Sequence, residues 1–271
     1  MARLIPINDF SVPGTEVYAS LTERQLFRDD LFVAESPEVI RLALNGGMVP
    51  ISFLMEEKYV RTTAADLLAA CDEDIPVFIA DGAVLSSLTG FHLTRGVLCA
   101  FRRPTLPDPV ELCKNARRVV VLENVMNAAN IGAIFRCAAA LNIDALLLTE
   151  AGGDPLSRRA TRTAMGTMFQ LPWTVLPSEK PAWQRLNEMG FKTAAMVLRD
   201  DSVPLHNAAL NKEEKLAVIL GNEGDGLCDD TVAHCDYAVK IPMSHGVDSL
   251  NVATAAAIAF YQLSVVSRED R

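Results

Sequence analysis

Three short stretches of this 271-residue chain carry side chains whose types and spacing could do chemistry. The first is Asn130-Ile-Gly-Ala-Ile-Phe-Arg136, which follows an apolar run and reads as the opening of a helix with Arg136 two turns inside it. Asn130 has two readings there, an N-cap or a polar group held at the carboxyl end of a strand. The second, Leu220-Gly-Asn-Glu-Gly-Asp-Gly-Leu227, follows the apolar run LAVIL. Its glycines let the backbone turn sharply and approach a ligand closely, although Gly, Asn and Asp also favour plain surface turns. The third is Ile241-Pro-Met243, a loop over 244–248, and Ser249-Leu-Asn-Val252 opening the last helix. Here Ser249 reads as an N-cap and Asn251 as a first-turn residue. Because VATAAAIAF is apolar around nearly its whole circumference, that helix must be buried on most sides, by its own domain or by a second copy.

The elements that position these stretches alternate. From Leu31 the runs LFVAES, PEVIRLALNGG, PISFLMEE, TAADLLAACDE, PVFIADG and GVLCAFRR read as short strands and helices in turn. RPTLPDP at 103–109 holds three prolines and can continue neither a helix nor a central strand. The expected organisation is therefore an N-terminal extension over 1–27 ending in a short helix near 21–27, a small α/β domain over 28–103, a linker over 104–113 and a second α/β domain over 114–271. In that last part RRVVVLENV, DALLLTE, PWTVL, FKTAAMVL, KLAVILG and DYAVKIPM read as strands, with helices between them and a short helix over 158–165. Such βα alternation predicts a parallel sheet covered by helices on both faces. Ligands of such sheets bind at the carboxyl ends of the strands, where all three stretches fall.

Composition excludes several classes. With 50% apolar and 22% charged residues the chain is neither disordered nor fibrous. MARLIPINDF lacks a secretory signal's apolar core, and no apolar run approaches the roughly 20 residues of a membrane span. Six cysteines at irregular spacing, with no C-x-x-C and four scattered histidines, match no zinc pattern. Their apolar settings point to reduced thiols in a cytoplasm. A net charge of −9 argues against nonspecific nucleic-acid binding. The window 114–163 is nevertheless net +3, from seven basic and four acidic side chains. A Rossmann-type enzyme would place G-x-G-x-x-G after its first strand, where this chain reads ENVMNAANIG.

Taken in order, N-I-G-x-x-x-R, L-G-N-E-G-x-G-L, and I-P-M followed by S-L-N-V resemble the SpoU/TrmH family of RNA 2′-O-ribose methyltransferases, in the SPOUT superfamily. The resemblance covers residues 115–266, and FVAESPEVIRLAL resembles the L30e-like RNA-binding domain that precedes the catalytic domain in many members. It implies a parallel-sheet domain with a deep trefoil knot, S-adenosylmethionine as cofactor and a homodimer. Carried over by residue, it puts Asn130, Arg136, Glu223, Ser249 and Asn251 at the catalytic centre. It puts the cofactor near Ala195, Met196, Val197, Leu198, Gly221, Asn222, Ile241, Met243 and Leu250. The stretch 123–129 departs from the family's usual acidic and histidine-containing approach loop.

The resemblance implies attack of a ribose 2′-oxygen on the sulfonium methyl. Arg136 as general base would need its pKa lowered by roughly six units, about 8 kcal/mol. A cation clamping the phosphate beside the target ribose is the better role, with Ser249 and Asn251 positioning these groups and Glu223 holding Arg136 or Asn130. Further RNA contacts are expected from Arg158, Arg159 and Arg162 in SRRATR. Aromatics at 6% favour folded RNA over extended single strands. Ribosomal RNA is the expected substrate, with tRNA and a catalytically silent RNA-binding scaffold as alternatives.

Overall fold

Apolar runs become strands, and the amphipathic runs between them become helices. The computed structural model describes residues 3–19, 26–27, 29–89 and 96–264. The chain divides into two units, one running up to Thr105 and including Leu156–Phe169, the other holding Leu106–Pro155 and resuming at Gln170.

The first unit is built on β1 (Arg3–Pro6), β2 (Leu31–Glu35), β3 (Pro50–Met55), β4 (Pro76–Ile79) and β5 (Val97–Arg102). Their order is β1-β4-β3-β5-β2. β1, β4 and β3 run parallel, and β5 is antiparallel to both β3 and β2. The extension at the start of the chain is thus part of this sheet. Tyr18 fastens it from inside: its buried hydroxyl donates to the Ser52 carbonyl at 2.7 Å and accepts from Ala100 N at 3.2 Å. Most of the short helix expected near 21–27 lies outside the described residues.

Residues 156–169 differ from expectation. They were to belong with the second α/β domain, but their helix, Arg158–Thr163, packs against β2 of the first unit. Two side chains explain why. Phe169 stacks on Phe32 with centroids 5.7 Å apart, and Arg162 lies 3.6 Å from Glu35, whose side chain is 1% exposed. A buried carboxylate is costly without a counter-charge, and the periodicity of a six-residue helix cannot reveal that its partner lies on a distant strand.

The second unit carries β6 (Arg118–Leu122), β7 (Ala145–Thr149), β8 (Trp173–Leu176), β9 (Lys192–Met196), β10 (Val203–Pro204), β11 (Leu216–Leu220) and β12 (Tyr237–Lys240). The order is β10-β12-β9-β11-β6-β7-β8, and every pair is parallel. β6 and β11, RVVVL and LAVIL, are buried at every residue, as central strands of a sheet covered on both faces must be. The Ala128–Ala140 helix buries Ile131, Ile134, Phe135 and Ala138 at three- and four-residue spacing. Phe135 meets Trp173 edge-on at 6.0 Å. The terminal helix, Val252–Ser264, packs against this helix. Because all seven strands point the same way, the loops after β6, β9, β11 and β12 emerge at one edge. Among the described residues no helix is long and apolar enough to cross a membrane.

Candidate active site

The loop after β11 is shaped by close backbone approach. A Cβ on Gly221 would stand 2.3 Å from the Gly226 carbonyl carbon and 2.4 Å from Leu227 N, so only glycine fits. The turn closes on itself through Asn222 N donating to Gly226 O at 3.0 Å and Gly226 N donating to Asn222 O at 3.1 Å. The Asn222 side chain accepts from Gly224 N at 2.7 Å and donates to the Asn124 carbonyl at 2.8 Å. This loop is therefore tied to the one after β6.

Two acids complete that tie from opposite sides. Glu223 reaches the β6 loop, accepting from Met126 N at 3.3 Å, Asn127 N at 3.1 Å and Asn130 Nδ2 at 2.9 Å. Glu123, buried at the end of β6, reaches the other way and accepts from Cys228 N at 2.9 Å and the Thr231 hydroxyl at 2.5 Å. Burial pushes the Glu223 carboxyl up. The donors from Asn130 and from the backbone of Glu223, Met126 and Asn127 outweigh it and hold the group below its usual value. A carboxylate stabilised as the anion and occupied by three donors is an orienting group and a poor base.

From Glu223 the contacts run on in a row. Asn130 receives at Oδ1 the amide of Asn251, at 3.0 Å, so its own amide group is oriented at both ends. Asn130 is not the cap of its helix. Asn127 is, accepting at Oδ1 from Ala129 N at 2.9 Å and Asn130 N at 3.4 Å, which leaves the Asn130 side chain free for Glu223. Ser249 does not open the terminal helix either. The helix begins only at Val252, and Asn251 is the cap, accepting from Ala253 N at 3.0 Å and Thr254 N at 3.3 Å. One side chain thus starts a helix with its oxygen and orients Asn130 with its nitrogen.

Beside this row lies a cavity of about 440 Å³ at the carboxyl ends of β9, β11 and β12. Of the expected cofactor residues, Met196, Val197, Leu198, Gly221, Asn222, Ile241, Met243 and Leu250 line it, as do Glu223, Ser249 and Asn251. Ala195 does not; it is fully buried within β9, one residue before the strand ends. Residues not anticipated also line it, among them Lys240 and Asp248. The Lys240 ammonium donates to the carbonyls of Arg199 at 2.9 Å and Asp200 at 3.3 Å. Ser202 closes the same loop by donating to Val197 O at 3.0 Å and accepting from Arg199 N at 3.2 Å. The one sequence signal for these residues was position, a charge immediately before I-P-M and another immediately before S-L-N-V.

Arg136 stands apart from the row. It lies six residues beyond Asn130, roughly 9 Å along the helix axis and on another face. It is exposed, does not line the cavity, and its guanidinium has no hydrogen bond or ion pair among the described residues. Glu223 holds Asn130, and Arg136 is left as an available cation. Arg158, Arg159 and Arg162 all lie in the first unit, where Arg162 is engaged by Glu35 and Arg159 is exposed.

Against known families, the model of the SpoU rRNA methylase family matches residues 117–261. The chain belongs to that family. This SpoU methylase is 37% identical over 233 residues to an uncharacterised tRNA/rRNA methyltransferase of Mycobacterium bovis, covering 86% of its own length and 80% of the relative's. It is 26% identical to the 23S rRNA (guanosine-2′-O-)-methyltransferase RlmB of Neisseria meningitidis, over 80% of this chain and 88% of that one. Among solved structures, the AdoMet-bound rRNA methyltransferase of Sinorhizobium meliloti superposes with a TM-score of 0.81 at 20% identity, covering 98% of each chain. The α/β fold of this SpoU methylase, with its large parallel sheet, is that of its structural neighbours, and its activity is methyl transfer.

Proposed function

We propose that this methylase transfers the methyl group of S-adenosylmethionine to a ribose 2′-oxygen in structured RNA, ribosomal RNA in the first place. The observation that carries the reading is the row Glu223–Asn130–Asn251 along the rim of a cavity made from the ends of three neighbouring strands. The cavity fits the cofactor. Its volume lies within the roughly 300–1,000 Å³ of small-molecule sites, and Met196, Val197, Leu198, Ile241 and Leu250 offer aliphatic walls with backbone donors and acceptors for an adenine. When bound, the cofactor supplies an electrophilic sulfonium methyl.

The chain's own residues do the rest. The 2′-hydroxyl must lose a proton as its oxygen forms the new bond to carbon. Arg136, exposed and uncommitted, clamps the phosphate beside the target ribose and lowers the cost of negative charge on that oxygen, and the proton passes to solvent as the new oxygen–carbon bond forms and the sulfur–carbon bond breaks. Asn130 and Asn251 present fixed amide groups to the ribose, and Ser249 lies beside them. Arg159 extends the phosphate contacts from the first unit, which we read as an L30e-like RNA-binding domain on the strength of its mixed sheet and flanking helices.

We further read the second unit as a trefoil knot. β11 lies between β9 and β6, and the terminal helix returns to the Ala128–Ala140 helix, which is the strand order that reading needs. A homodimer fits the terminal helix, which leaves Ile258 and Tyr261 exposed. Cytoplasmic action suits six free thiols, with Cys113 and Cys235 pushed up to about 11 by burial.

The test is transfer of labelled methyl from S-adenosylmethionine to separated, unmodified ribosomal and transfer RNA, with an alkali-resistant linkage marking the 2′-O position. Label in ribosomal RNA supports the reading, and label in tRNA alone changes the substrate while keeping the chemistry. No label in either, together with no cofactor binding, makes the protein a silent scaffold.

A further inference from the structure

Among the described residues, three ionisable side chains line the cavity: Glu223, Lys240 and Asp248. Two of them are occupied. The Glu223 carboxylate is taken by three N–H donors, and the Lys240 ammonium is taken by the carbonyls of Arg199 and Asp200. Asp248 differs. Among the described residues its carboxylate receives a single hydrogen bond, from the neighbouring Ser249 hydroxyl at a long 3.4 Å. It sits in the turn before Ser249, Leu250 and Asn251, where His245 and Gly246 adopt left-handed backbone angles of 60° and 71°; it is exposed, and it adds an uncommitted negative charge to a lining of aliphatic, amide and hydroxyl groups.

S-adenosylmethionine and its demethylated product differ by one feature that such a pocket can sense. The sulfonium of the substrate carries a permanent positive charge, and the thioether of the product carries none. Apart from the transferred methyl itself, the rest of the two molecules is the same, including the ammonium and carboxylate of the methionyl end. We propose that Asp248 is the specificity-determining residue that favours the sulfonium form over the thioether form, so that loss of charge on methyl transfer weakens the product's hold and promotes its release. This rests on the cavity being the cofactor site. Asp248 is exposed in the free chain, but a ligand filling the cavity would shield this carboxylate from part of its water, and its attraction to a cation then exceeds that in bulk water, whereas the aliphatic walls and backbone groups treat the two forms alike.

The test is calorimetric titration of S-adenosylmethionine and S-adenosylhomocysteine into the full chain and into Asp248→Asn, which keeps size and the Ser249 contact. The expected result is an approximately tenfold rise in Kd for S-adenosylmethionine, about 1.4 kcal/mol, with S-adenosylhomocysteine within twofold of wild type. Asp248→Glu, which restores the charge, should recover most of the preference. Equal weakening of both ligands by Asp248→Asn, or no change in either, overturns the proposal. Failure of the wild-type chain to bind either ligand would instead overturn the cofactor reading of the cavity and this proposal with it. Binding of both, with the ratio unmoved by the substitution, removes Asp248 alone.

Discussion

Asn251 does two jobs with two atoms, and two substitutions separate them. Its Oδ1 caps the terminal helix through Ala253 N and Thr254 N, while its Nδ2 donates to Asn130. Asn251→Ala removes both. Loss of a cap costs about 1 kcal/mol and loss of a hydrogen bond about 1 more, so the variant should be destabilised by about 2 kcal/mol. For a protein of this size that is a fall in Tm of roughly 4–8 °C. Asn251→Asp keeps a good cap, placed where the helix dipole favours an anion. It loses the donor, however, and turns a carboxylate toward the Asn130 carbonyl oxygen. We expect a loss of about 1 kcal/mol, that of the hydrogen bond alone and about half that of Asn251→Ala, and methyl transfer reduced at least about tenfold, a barrier increase of about 1.4 kcal/mol. Thermal scans and single-turnover transfer with labelled cofactor read the two effects independently. Wild-type transfer by Asn251→Asp would remove the Asn251–Asn130 contact from the catalytic arrangement. Equal destabilisation by Ala and Asp would refute the cap.

Other substitutions probe other contacts. Gly221→Ala must displace the Gly226–Leu227 backbone from 2.3 Å and should abolish cofactor binding by calorimetry; binding within threefold of wild type would show that the turn yields. Arg162→Ala strands the buried Glu35 carboxylate and, because Arg162 is itself half exposed, should destabilise the chain by about 1 kcal/mol, whereas Arg159→Ala should leave the melting curve unchanged and reduce the salt dependence of RNA binding. The reverse pattern would exchange their roles. The depressed Glu223 pKa stabilises the fold at pH values above its ordinary 4.5, and the contribution is lost as pH falls through the lower folded value. The stability difference between wild type and Glu223→Gln, followed by denaturant titration, should therefore be full at pH 7 and shrink in acid below 4.5; a constant difference would mean the charge is irrelevant.

The residues around the cavity were legible because each sits where an unbroken apolar run stops. RVVVL, LAVIL and YAVK leave little doubt that strands end at Leu122, Leu220 and Lys240, and parallel alternation then brings their loops to one edge. Caps were misplaced because Asn127 and Asn130 have the same capping chemistry. Asn127 won the cap since its backbone is extended, at φ −73° and ψ 113°, a property of the chain path and not of the residue type. Arg162 read as an RNA contact for a similar reason: SRRATR is basic in isolation, and the acid that claims Arg162 lies in β2. Tyr18 was illegible because a lone aromatic in a Pro- and Gly-containing extension carries no period. Local pattern therefore reported the elements and their order, while pairings between distant segments needed the assembled core.

The placement of Leu156–Phe169 bears on how this protein can be dissected. A cut between Thr105 and Leu106 appears natural from the proline-rich stretch, but it would leave each fragment wrong. The first fragment would lack the segment that packs on β2, an outermost strand, and would bare Phe32 and the Glu35 carboxylate on an unprotected sheet edge, a template for aggregation. The second would carry a loop bearing Leu156, Met168 and Phe169 with nothing to bury them. A soluble methylase unit would instead need the 156–169 excursion replaced by a short polar turn, and a soluble first unit would need that segment grafted after Thr105. The two modules are interleaved in sequence, so an insertion or loss of the first unit alone is not a single-step event for this chain.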